Sequence, residues 1–170
     1  NSIECGYFES KNNFIFATQK GGGNHYHEIT HFINKFYPNA NELLLTGISA
    51  YISKDKAHLG KSLIYHTKRV NEYLKQHSEI ELTNVSNFNY LDENTNPQYV
   101  IGAILCEIIA KKGGKKLLIS AFDKTSTDED LATFFKEKIL KKNENLNTKL
   151  KELICRENKL QTLNITNSFD

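Results

Sequence analysis

The sequence predicts a small, mostly helical α+β domain, a short N-terminal β-hairpin followed by about six helices. Three observations predict it. Aromatic and β-branched residues crowd two short runs near the N-terminus. Apolar residues recur at helical spacing through most of the remainder, and Pro, Gly and capping residues punctuate the chain at helix-length intervals. At 170 residues a single core is expected, burying roughly 70% of the unfolded surface without disulfides or a structural metal. The whole chain, residues 1–170, reads as one domain.

Residues 3–8 and 14–18 form the expected hairpin, with Lys11-Asn12-Asn13 as its turn. Gly21-Gly22-Gly23 breaks the chain, and Asn24 caps a first helix that runs to about residue 36 and stops before Pro38. Phe32, Ile33 and Phe36 supply the expected core face of that helix. A second helix spans about residues 40–53 with Leu44, Leu45, Ile48 and Ile52 inward. A third spans about 61–77, with Leu63, Ile64, Val70 and Leu74 inward and Lys68, Arg69, Glu72 and Lys75 outward.

Residues 78–96 are Asn-rich and aperiodic, a long loop that either walls a cleft with Phe88, Tyr90 and Leu91 or simply connects. Pro97 opens the fourth helix, apolar on nearly every side over residues 99–110 and therefore central to the core. Gly113-Gly114 ends it, and a short helix follows at 115–122. Thr127 caps the next helix from Asp128, with acids in the first turn and lysines in the last, as the helix dipole favours. A charged helix at about 145–160 closes the domain.

Charge excludes some partners. Lys plus Arg number 22 against 20 Asp plus Glu, a net charge of +2, so no basic field points to nucleic acid. No apolar run approaches the roughly 20 residues of a membrane span. The N-terminus begins at Asn1 with neither a basic nor an apolar leader, which reads as a processed or trimmed chain. A secreted or periplasmic protein whose signal has been removed fits that start, while the compartment stays open. Cys5, Cys106 and Cys155 are far apart and form no CxxC motif, so inert thiols are expected. Asn84-Val-Ser and Asn164-Ile-Thr match the N-glycosylation pattern.

The chemistry resides in His27-Glu28-Ile29-Thr30-His31, an HExxH sequence within the first helix. Residues four apart lie one turn up on the same side of a helix, so two imidazoles can reach one zinc ion. The intervening Glu28 can reach a metal-bound water and act as general base. About fifteen residues further comes Leu45-Thr46-Gly47-Ile48-Ser49-Ala50-Tyr51.

Together these segments resemble the gluzincin branch of the zinc metallopeptidases, the thermolysin-like peptidase MA group. There HExxH is followed on a second helix by an E-G-x-A-x-Y segment. The resemblance covers roughly residues 3–112 and implies a zincin-like domain, a zinc cofactor and a peptide or protein substrate. Gly47, Ala50 and Tyr51 keep the pattern, but Thr46 stands where the family has its third ligand, a Glu. A neutral hydroxyl does not match the Cys, His and carboxylate ligand set. Glu42, one turn earlier, is the candidate substitute, beside its alternative as a solvated first-turn carboxylate. His25, His58 and His66 are further candidates, as is a two-histidine site completed by water.

The resemblance implies amide hydrolysis, with the metal polarising the carbonyl and lowering the pKa of bound water to about 7. Glu28 would take that proton and pass it to the leaving amine. An edge strand at Phe14, Ile15, Phe16 and Ala17 would pair with an extended substrate. Tyr65, His66, Tyr90 and Tyr99 are candidate oxyanion donors, and Tyr51 is expected to be structural. Two other readings stand beside the peptidase. One is an inactive domain of the same fold that binds peptides; the other is a helical interaction module in which HEITH is coincidental.

Overall fold

The computed structural model describes residues 7–16, 26–57, 61–84 and 96–166. Two strands, β1 (Tyr7–Glu9) and β2 (Phe14–Phe16), pair antiparallel with Phe8 opposite Ile15. Glu9 ties their turn by accepting from the backbone N–H groups of Lys11 and Asn12, at 2.7 and 2.8 Å. Asn13 takes the positive φ of 59° that the turn needs, a conformation asparagine tolerates. Six α-helices follow among the described residues: α1 (Tyr26–Asn34), α2 (Glu42–Ile52), α3 (Leu63–Gln76), α4 (Pro97–Lys124), α5 (Asp128–Lys138) and α6 (Leu146–Thr166). The mostly helical expectation is borne out.

Helix α4 is the axis of the core, as its apolar circumference predicts. Val100, Ile101, Leu105 and Ile109 are fully buried among Leu43 and Leu44 of α2, Phe135 of α5 and Leu150 and Ile154 of α6. The α2–α4 crossing is a contact of backbones. A Cβ added at Gly47 would stand 1.9 Å from the carbonyl carbon of Gly102, and one at Gly102 would stand 2.0 Å from the Leu43 carbonyl oxygen. The buried Ala50 and Ala103 continue that close approach. The Gly-x-x-Ala spacing on α2 thus has a packing cause of its own.

Gly113 and Gly114 leave helical geometry, Gly114 at φ +65°, so α4 is two helical pieces joined at a break. That matches the expected helix end and restart. The break returns Ala121 and Phe122 to the core, Phe122 meeting Tyr37 edge-on at 5.4 Å between ring centroids.

Helix α5 starts on a full capping box. Thr127 Oγ1 accepts from the Asp130 N–H at 3.1 Å, and Asp130 Oδ2 accepts from the Thr127 N–H at 3.0 Å. The Ser126 hydroxyl, with the Thr127 and Ser126 N–H groups, holds the Asp130 carboxyl down to about 2. A depressed carboxylate pKa stabilises the fold above the ordinary aspartate value near 4, and that contribution is lost as pH falls through about 2. Replacing Thr127 with Ala is expected to cost about 1 kcal/mol, measured as a lower urea midpoint at unchanged m-value.

Two expectations are corrected. Phe32, Ile33 and Phe36 do not form a core face, since all three are exposed while Thr30 is buried. Helix α1 turns a polar side inward: Thr30 is buried, and Asn34 Nδ2 is committed to the Leu45 carbonyl of α2. Ile52 and Ile64, expected inward, are also exposed, whereas Gly47, Ser49, His66 and Asn71 are buried. The strand ends at residues 3–6 and 17–18, the cap at Asn24 and the loop at 85–95 lie outside the described residues.

Candidate functional site

Positions 27–31 lie on α1, as their spacing predicts. His31 is half-buried, and burial lowers its imidazole pKa below the usual value, favouring the neutral form that binds metals. Glu28 is half-buried too, and the His27 side chain lies outside the described set. By the 100° step of a helix, position 27 shares a side of α1 with Thr30, His31 and Asn34.

That side packs on α2. Asn34 Nδ2 donates to the Leu45 carbonyl at 2.6 Å, and the Thr30 hydroxyl satisfies itself on the Tyr26 carbonyl at 2.6 Å. Ser49 is fully buried on the side of α2 that also carries Leu45, about 160° around the helix from Gly47. Its hydroxyl donates to the Thr46 carbonyl at 2.7 Å, and half-buried Thr46 borders the covered flank. Helix α1, which carries positions 27–31, is therefore packed on α2, which carries Thr46, with Asn34 and Leu45 as the bonded pair. Nothing in the sequence signalled Asn34, whose amide sets the register of the two helices.

The remaining candidates fall as follows. Glu42 is exposed in the first turn of α2, where its charge complements the helix dipole. His66 is fully buried on α3, its ring edge-on to Tyr65 at 5.2 Å. Tyr65 is half-buried, with Lys61 and Arg69 each 5.8 Å from its ring centre. Tyr51 and Tyr99 are half-buried against Ala50, Ala57 and Ala103. His25, His58, Tyr90 and Ala17 lie outside the described residues. Phe14, Ile15 and Phe16 are exposed on β2, an edge strand of a two-stranded sheet.

Among the described residues, no three His, Cys, Asp or Glu side chains gather around a common point. The residue types still suit zinc: histidines at positions 27 and 31, one helical turn apart, with burial of His31 favouring its neutral form and a carboxylate at position 28. Thr46 supplies no ligand, so position 46 does not provide the third protein ligand usual in zinc sites. An open groove of about 720 Å³ lies elsewhere, lined by Thr83, Lys136, Lys141, Asn143 and Asn147, and no predicted site residue borders it. No helix is long and apolar enough to cross a membrane among the described residues. No family model matches the chain, and neither a curated protein nor a solved structure matches it.

Proposed function

We propose that the protein is a zinc-dependent peptidase of gluzincin type, with His27 and His31 holding the metal and Glu28 as general base. The observation that supports this reading is the packing of α1, which bears the HExxH spacing, on α2, which bears Thr46, through the Asn34–Leu45 hydrogen bond. That is the helix pair on which such a site is built. Zinc would supply Lewis-acid polarisation of the scissile carbonyl and a water acidic enough to ionise near neutral pH. Glu28 takes the proton of the attacking water and delivers it to the leaving nitrogen, so one carboxylate serves both halves of the reaction. His31, kept neutral by burial, offers its lone pair without first losing a proton. The edge of β2 offers backbone N–H and C=O groups to an extended peptide, and Phe14 and Phe16 offer aromatic surface to its side chains. Glu42 remains the carboxylate proposed to complete the ligand set.

Thr46 favours a second reading, a domain of the same build that binds peptides without cleaving them. Zinc analysis separates the two. Protein purified without tag or chelator is expected to hold about one zinc per chain, lost in His27→Ala. Absence of zinc after loading, or equal zinc in the variant, would overturn the peptidase reading and leave peptide binding at β2 as the one to pursue.

A further inference from the structure

Helix α1 displays an apolar stripe on the side away from α2. Tyr26, Ile29, Phe32, Ile33 and Phe36 are 37% to 73% exposed, and they recur every three or four residues, the spacing of one helix face. Hydrogen bonds from the Lys35 and Phe36 N–H groups to the Phe32 and Ile33 carbonyls carry the stripe past the end of α1. Phe32 and Phe36 meet edge-on at 6.2 Å. The hairpin buttresses this end, with Lys35 Nζ donating to the Ser10 carbonyl and the Asn13 side-chain oxygen.

We infer that this stripe is a dimer interface, occupied by α1 of a second copy of the chain across a two-fold axis. Two pairs of the stripe are centred on position 31, aromatic Tyr26 and Phe36 outside and aliphatic Ile29 and Ile33 inside, with Phe32 one residue from that centre. An antiparallel two-fold pairing therefore sets Tyr26 against the partner's Phe36 and isoleucine against isoleucine, the self-complementarity an isologous contact requires. The area suffices. At about 200 Å² for each large side chain, the exposed fractions amount to about 500 Å² per chain. Two copies bury about 1,000 Å², the floor for a specific interface. The stripe lies on the side of α1 opposite to Thr30 and Asn34, so pairing leaves the α1–α2 contact in place and does not depend on zinc.

Light scattering coupled to size exclusion tests this on the full chain. The expected mass is twice 19.5 kDa at about 100 µM, falling towards one chain on dilution. Ile33→Glu combined with Phe36→Glu is expected to give a monomer with an unchanged far-ultraviolet helix signal. A wild-type chain that stays at 19.5 kDa at the highest concentration overturns the inference, as does a folded double variant that stays dimeric. The wild-type dilution series decides the matter even where the variant does not fold.

Discussion

Gly47→Ala is expected to be among the most damaging single-methyl changes in this protein. The added carbon would stand 1.9 Å from the backbone of Gly102, where no side chain can rotate aside. Helices α2 and α4 must then separate, and the separation opens the layer around Leu43, Leu44 and Ile101. A cost of about 3 kcal/mol or more follows, a fall of about 10 °C in Tm for a chain of this size. Gly102→Ala should match it, since its methyl would meet the Leu43 carbonyl. Gly114→Ala is the control. Nothing lies within 4 Å of its added carbon, so only the positive φ is penalised, at about 1 to 2 kcal/mol. Thermal melts in which the Gly47 and Gly114 variants lose equal stability would disprove the close crossing.

On the proposed peptidase reading, Glu28→Gln abolishes turnover and leaves zinc in place. The amide is isosteric with the carboxylate and keeps the local packing of α1, but it accepts no proton from the attacking water. Loss of a general base is worth about 10² to 10⁴ in kcat. Single-turnover cleavage of a quenched-fluorescence peptide library, with zinc measured on the same samples, reads both quantities. Cleavage by the variant at the wild-type rate would remove Glu28 from the mechanism. Loss of zinc together with cleavage would make the carboxylate a metal ligand instead.

Local signals in the sequence located most of the architecture. Thr127 with Asp130, Pro97 at the start of α4 and the Gly113-Gly114 break each act within a few residues, so their effects are readable without knowing the fold. The orientation of α1 was not readable. Amphipathicity assigns Phe32, Ile33 and Phe36 to the core, but Thr30 and Asn34 form the inward side, Asn34 held there by its bond to the Leu45 carbonyl. Burial patterning tells which side is apolar, not what that side meets.

Gly47 and Ala50 show the same gap in another form. They read as part of a peptidase signature, and the structure gives them a packing role whose other half, Gly102, is remote in sequence. HEITH was legible as a spacing, and α1 supplies the helix it needs. A third ligand is not legible, because a threonine, Thr46, stands at the position the resemblance assigns to it and the remaining donors are scattered along the chain.

Asn41, the cap of α2, has a consequence for how the protein is made. Its backbone N–H donates to the Thr125 carbonyl at 2.7 Å, and its amide donates to Asp128, 87 residues away. The helix carrying Thr46 therefore receives its final anchor from the α4–α5 junction. On a ribosome, residues 26–52 emerge long before those partners exist. Helices α1 and α2 must wait as an incomplete pair, with the apolar stripe already displayed, until Asp128 clears the exit tunnel. Completion of the α2 N-terminus is thus timed by the C-terminal third of the chain, and the interval before it is anchored is when a nascent chain is most exposed to chaperones and proteases.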